Sequence, residues 1–295
     1  MFTVDVDGGD ELMIKPALQH DAFLADVAAA KSDTAHLHLW WLGQSGYLVR
    51  WPGGFLLIDP YLSDSLTQKY ADTDKPHVRM TELVVDPARL DYIDVVTSSH
   101  NHTDHLDAAT LLPLMRVNPK LHIVVPEANR NFVAARLETE PASLIGMGDG
   151  VKRHVAGLTI HGLPAAHDQL EQDERGHHRF MGYIFELPMA DGRTFTIYHS
   201  GDTLFYEGMI DRLRRFEIDL ALLPINGRGP ERKVAGNLWG QEAANLAHAI
   251  AAKIVVPCHY DMFTFNTAAP DEFVTSCQKL NRDHRILRCG ERLSL

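Results

Sequence analysis

Cysteine is scarce in this chain. Cys258, Cys277 and Cys289 are three in 295 residues, too few and too odd a number for a disulfide framework. No apolar stretch approaches the ~20 residues that cross a bilayer. The opening Met1-Phe2-Thr3-Val4-Asp5-Val6-Asp7 also lacks the basic and apolar regions of a signal peptide. These absences lead us to expect a cytoplasmic protein with reduced thiols and no membrane partner. Basic residues are outnumbered, 28 Lys and Arg against 39 Asp and Glu, for a net charge of -11. A broad nucleic-acid surface needs clustered cations that displace counterions, so no nucleic-acid partner is expected. No fixed-period repeat points to a solenoid, and Ser45, Ser98 and Ser99 lie in no Gly-x-Ser-x-Gly elbow that would mark a serine nucleophile.

What is present is an ordinary globular composition, 45% hydrophobic and 23% charged, with enough apolar residues for a large core. A helix is expected over residues 16–30, from Leu18, Phe23, Leu24 and Val27. Short strands follow at 36–40, 47–50 and 55–58, separated by Gly and Pro turns. Residues 61–80 are polar and punctuated by Asp and Pro, which reads as a loop or lid without a core face. From residue 91 strands alternate with helices, then a second run of strands near 158–161, 181–187 and 194–198 gives way to strand-helix units again. Two halves of strands followed by strand-helix units imply two sheets face to face with helices outside, an α/β architecture.

Chemistry concentrates where the strand at 93–97 ends. His100-Asn101-His102-Thr103-Asp104-His105 puts three imidazoles and a carboxylate into six residues, a costly crowding unless a cation satisfies the groups. Three other strands end near a candidate ligand: His167, Asp202 in His199-Ser200-Gly201-Asp202-Thr203, and His259. Ligands on strand-end loops can converge at one edge of a sandwich. No cysteine stands among them, so the set suits zinc or manganese, with divalent iron also open.

These residues resemble the pattern of the metallo-β-lactamase fold superfamily, His-x-His-x-Asp-His followed by a His, an Asp and a final His on separate loops. The resemblance runs from about residue 39 to 287 and implies a four-layered αββα sandwich. It implies one hydrolase domain over 35–295, preceded by a lead-in helix within 1–34. It also implies two divalent metal ions, with His100, His102 and His167 on the first, Asp104, His105 and His259 on the second, and Asp202 bridging. Trp41-Leu42-Gly43-Gln44-Ser45-Gly46, Leu57-Ile58-Asp59-Pro60, the His-Ser-Gly-Asp-Thr segment and His259-Tyr260-Asp261 are similar to the ascorbate-6-phosphate lactonase-like branch. His100 to Asp107 is also similar to the N-acylphosphatidylethanolamine phospholipase D branch, while Leu223-Pro224-Ile225-Asn226-Gly227 tilts the comparison to the first.

The expected activity is hydrolysis of a small anionic ester or lactone by a metal-bound hydroxide. Asp104 and Asp202 are the catalytic candidates, Asp104 as an acceptor and donor of the water proton. A phosphodiesterase is the alternative, and a non-catalytic binding or redox protein on the same scaffold is the second. Asp59 and Asp107 are candidates to orient ligating imidazoles, though a turn Asp before Pro60 and a helix N-cap are equally good readings of them. Asn226, Arg228, Tyr260 and Asp261 are candidates to hold substrate, with Arg228 able to pair with a phosphate. The expected partner is a small-molecule substrate, and a homo-oligomer is left open.

Overall fold

Residues 36–58 form an antiparallel meander: β1 (His38–Gly43), β2 (Gly46–Trp51) and β3 (Gly54–Ile58). All six residues of β1 are buried, where a half-exposed strand would alternate. The cause is cover on both faces. On one side α1 (His20–Ala30) packs Phe23 edge-on against Trp40, whose indole donates to Asp26. On the other, Trp41 stacks on Tyr260 of the second half at 4.2 Å. The computed structural model describes residues 13–229 and 235–295. The Met1–Asp7 segment read for targeting lies outside them.

After a short α2 (Ser65–Tyr70), the chain adds β4 (Val95–Thr97), β5 (His122–Pro126) and β6 (Ile145–Met147), each parallel to its neighbour. α3 (Ala108–Val117) and α4 (Arg130–Arg136) supply the crossovers that parallel pairing needs. The second half repeats the scheme. β7 (Lys152–Val155), β8 (Leu158–Pro164), β9 (Met181–Pro188) and β10 (Thr194–His199) form a meander. β11 (Leu220–Pro224), β12 (Ile254–Cys258) and β13 (Asp283–His284) then add in parallel, joined through α5 (Met209–Leu213), α6 (Gly240–Ala249) and α7 (Asp271–Lys279). The last strand, β14 (Arg292–Ser294), returns to pair with β1.

The result is two seven-stranded sheets, ordered β14-β1-β2-β3-β4-β5-β6 and β13-β12-β11-β10-β9-β8-β7. α4 lies against β5, α6 against β11 and β12, and α7 against β13. This is the expected αββα sandwich, in which Phe23, Val27 and Ala30 of α1 join the common core. Among the described residues no helix is long and apolar enough to cross a membrane.

One expectation needs correction. Residues 61–80 do have a core face, because Tyr61 and Leu66 are buried with Met262 and Phe263 in a small separate cluster. Those partners come from far along the chain, so no local periodicity announces them.

Candidate metal centre

Every candidate ligand follows the C-terminal end of a strand. β4 runs into Ser98, whose backbone N–H donates to the Val124 carbonyl and whose hydroxyl donates to the His100 carbonyl at 2.6 Å. A helical turn then closes with the N–H groups of His105 and Leu106 donating to the His102 carbonyl, which puts His102, Asp104 and His105 around one point. Arg136 of α4 clamps this turn, its Nη1 donating to the carbonyls of Asn101 and Leu106 at 2.9 and 3.0 Å. From the other sheet β8 delivers His167, β10 delivers Asp202 and β12 delivers His259.

The seven side chains converge. Ring centroids of His100, His102 and His167 lie 4.6 to 5.4 Å apart, with Phe180 packed against all three. Asp202 lies between two groups: its Oδ2 is 3.6 Å from His167 Nε2 and 3.3 Å from His259 Nε2, and its Oδ1 is 3.4 Å from His105 Nε2. Asp104 Oδ2 is 3.5 Å from His105 Nε2 and 3.7 Å from His259 Nε2. Ligand atoms fall within 4.8 Å of one another in three sets: His100, His102 and His167; His100, His105 and Asp202; Asp104, His105 and His259.

Divalent cations fit this arrangement. His100 Nε2, His105 Nε2 and Asp202 Oδ1 are buried without a hydrogen-bond partner, and buried polar atoms are otherwise almost always satisfied. Burial holds His100 well below the ordinary imidazole range and pushes His102 down to about 4, so each ring is neutral and offers a lone pair. Burial alone would raise the two carboxyls. The imidazoles facing them, His105 at Asp104 and His259 at Asp202, hold both well below the usual carboxylate range. Against the opposing effect of burial, the facing Asp202 and Asp104 carboxylates hold His105 well above the ordinary imidazole range, and a cation would take the place of its proton, since neutral imidazoles and ionised carboxylates are the forms that ligate.

Around the ligands a second set of contacts fixes their orientation. Asp59, fully buried at the end of β3, accepts from His105 Nδ1 at 2.7 Å, from the Ser99 N–H at 2.9 Å and from the Ser99 hydroxyl. His167 Nδ1 donates to the Gly236 carbonyl at 2.8 Å. His199 stays outside the ligand set, with its Nε2 3.2 Å from the Ser45 carbonyl. Gln44, in the tight turn between β1 and β2, was not read as a site residue. Its Nε2 donates to Asp104 Oδ2 at 2.8 Å and lies 3.0 Å from His259 Nε2, while its carbonyl accepts the His259 N–H. The hint was its place in the Trp41–Gly46 segment that carries the branch resemblance.

Backbone strain gathers here. Gln44, Asp59, Asp168 and His259 all have positive φ, at 49°, 40°, 76° and 69°, conformations that surrounding contacts must hold. Gly201, at φ 61°, is where only glycine serves: a Cβ would stand 2.7 Å from both the Ser99 Cβ and the Met181 carbonyl oxygen. Gly201→Ala is therefore expected to lower the melting temperature by ~5 °C and to displace Asp202. A calorimetric scan checks this, and a variant that melts with the wild type removes the argument.

The other candidates lie elsewhere. Asp107 caps α3, accepting from the Ala109 N–H, the Thr110 hydroxyl and the Ser65 hydroxyl, and holds no imidazole. Arg228 forks onto Glu242 at 2.6 and 2.8 Å, bracing the start of α6. Asn226 is buried, donating to Asn266 and accepting from Asn237. Tyr260 is a core residue whose hydroxyl donates to the Leu287 carbonyl. Asp261 accepts the Thr81 hydroxyl on its backbone carbonyl, and burial raises its carboxyl.

Over the ligands opens a cleft of about 450 Å³, with His102, Asp104, His167, Asp202 and His259 in its wall, a size suited to a small molecule. A larger groove of about 790 Å³ runs past Arg193, Phe216 and Asp219 on the second sheet. It contains none of the candidate ligands, so volume alone does not mark the site.

A family model described as a beta-lactamase superfamily domain matches residues 55–260. A UPF0173 metal-dependent hydrolase of Myxococcus xanthus is 26% identical over 275 residues, covering 88% of this chain and 85% of that protein. A probable L-ascorbate-6-phosphate lactonase of Escherichia coli O127:H6 is 26% identical over 270 residues, covering 79% and 72%. The solved structure of a metallo hydrolase from Ignicoccus hospitalis is similar with a TM-score of 0.63 and 23% identity, covering 88% of this chain and 98% of that one. That last likeness is one of fold.

Proposed function

The chain belongs to the β-lactamase superfamily and is a metal-dependent hydrolase, and from that premise we propose that it holds two divalent cations and hydrolyses a small anionic ester or lactone. One observation carries the reading. Seven His and Asp side chains from both sheets converge beside the cleft, five of them in its lining, with Asp202 set between the two groups. Zinc or manganese suits the donor set, with iron also compatible. Two such ions, when bound, supply charge opposite a developing oxyanion and a water whose pKa is brought near neutrality.

The chain's own residues do the rest. His100, His102, His105, His167 and His259 are committed to holding cations and cannot act as bases. Asp104 can. Its side chain is 17% exposed against 4% for Asp202, so it is the carboxylate of the set that meets water in the cleft. Gln44 holds its Oδ2, fixing the position from which Asp104 takes a proton from water and returns it to the leaving oxygen. Asp202, nearly buried, keeps the two groups of ligands at a set separation.

The test uses protein reconstituted with zinc or manganese and analysed for metal content, expected at two equivalents per chain. A stoichiometry of one or below at saturation removes the second cation. On the same samples, kcat/KM for a phosphorylated sugar lactone should exceed that for a bis-aryl phosphodiester. Faster turnover of the phosphodiester replaces this reading with a phosphodiesterase.

A further inference from the structure

Four histidines stand among the described residues that line the cleft: His77, His102, His167 and His259. The last three belong to the candidate ligand sets, and His77 belongs to none of them. With cations bound, His77 is therefore the imidazole of this lining whose lone pair is not committed to metal.

Its ring is held in one tautomer and one orientation. Nδ1 lies 2.7 Å from the Lys75 carbonyl, and because a carbonyl only accepts, Nδ1 carries the proton. Nε2 is then the acceptor, and no group among the described residues donates to it. Tyr70 stacks on the ring at 4.6 Å, while Phe263 and Phe265 pack edge-on against it, each at 5.3 Å. The chain just beyond is fastened as well: the Thr264 N–H donates to the Val78 carbonyl at 2.9 Å and the Met80 N–H to the Met262 carbonyl at 2.8 Å. The wall of the cleft at 65–77 is thus pinned by rings and backbone from the far end of the chain. Burial holds the His77 ring below the ordinary imidazole range, so Nε2 keeps its lone pair near pH 7.

A fixed, bare acceptor in a confined cleft is a recognition element. A donor placed on it gains a hydrogen bond, whereas an apolar group pressed against it strands the nitrogen at a cost that exceeds the bond itself. Discrimination for a hydroxyl or N–H is for that reason sharper than an apolar pocket achieves for a methylene.

We propose that His77 sets specificity in this cleft, its Nε2 accepting a hydrogen bond from a hydroxyl or N–H group of the substrate at a point away from the bond that is broken. The inference rests on the hydrolase reading above and adds a requirement on the uncharged part of the substrate, met by a residue outside the metal set. His77 orients the substrate and takes no part in the proton transfers assigned to Asp104. Because the ring is already immobilised, little conformational entropy is lost when the bond forms.

The test reads the binding of matched acids that are not hydrolysed. 4-Hydroxybutanoate and pentanoate share charge and length and differ as hydroxyl against methyl, as do 6-hydroxyhexanoate and heptanoate. Each is titrated calorimetrically into the zinc-loaded full chain, as wild type, His77→Asn and His77→Gln. The Asn amide can keep the bond to the Lys75 carbonyl but ends short of the Nε2 position, whereas Gln can place an oxygen acceptor there. Wild type should bind at least one hydroxy acid about threefold or more tightly than its methyl partner, His77→Asn should erase that preference, and His77→Gln should keep part of it. In the wild type, the nitrogen-15 resonance of His77 Nε2 should move with the preferred hydroxy acid and stay in place with its partner. That reading depends on neither variant, for which zinc content and melting temperature serve as folding controls. A wild type that prefers neither hydroxy acid overturns the proposal, as does a preference that survives His77→Asn or a resonance that moves equally with both members of a pair. Since none of these acids is turned over, failure of lactone hydrolysis counts only against the reaction and leaves this result standing.

Discussion

Asp202→Ala is expected to lower kcat/KM for hydrolysis on the order of 10³-fold or more while the protein remains folded. The residue lies on the loop after β10, and its carboxylate approaches His105, His167 and His259. Losing it removes the group that sits between both sets of ligands, so metal content should fall together with turnover. The apolar core is untouched, which is why a circular-dichroism melt should stay near wild type. Turnover retained at a tenth of wild type or better would mean that Asp202 does not join the two groups.

The second large effect is on stability. Asp59→Ala leaves His105 Nδ1, the Ser99 N–H and the Ser99 hydroxyl facing a void in a fully buried place. Stranding those groups costs about 3 kcal/mol or more. Freeing the His105 ring to rotate should also weaken metal affinity ~10- to 100-fold. Asp59→Asn, which keeps the shape and one acceptor, should fall between. Urea midpoints and zinc competition against a chelator read the two effects separately. If Asp59→Ala matches wild type in both, the residue is only a turn Asp before Pro60.

Much of the candidate ligand cluster was legible because its signals are local. His100 to His105 are contiguous, and His167, Asp202 and His259 each follow a recognisable strand, so position along the chain already placed them at one sheet edge. Asp59 could be read for the same reason. Gln44 was noted only as part of the Trp41–Gly46 segment, since nothing in that segment says that a backbone at φ 49° aims the amide at Asp104. The proposed substrate contacts fared differently from the ligands because nearness along a loop does not say where a side chain points. At φ 69°, His259 turns the chain so that Tyr260 enters the core and stacks on Trp41. Arg228 was drawn to Glu242, fourteen positions on, by a pairing that no spacing rule singles out. The wall at 65–77 was hidden by the same distance effect, as its anchors Met262, Phe263 and Phe265 lie near the other end of the sequence.

The split of ligands between the two sheets has a consequence for how the protein matures. His100, His102, Asp104 and His105 come from the first half of the chain, while His167, Asp202 and His259 are translated later. A nascent chain that has made only β1 to β6 would offer a cation an open, water-filled ligand loop, from which exchange is rapid, and the first sheet itself is complete only when β14 pairs with β1. Retention needs β12 in place beside β11, because that strand carries His259 to the floor. On the proposed ligand set, seating metal would therefore be a closing step of biosynthesis, and the identity of the metal retained would reflect what is available to the finished chain when both sheets have met.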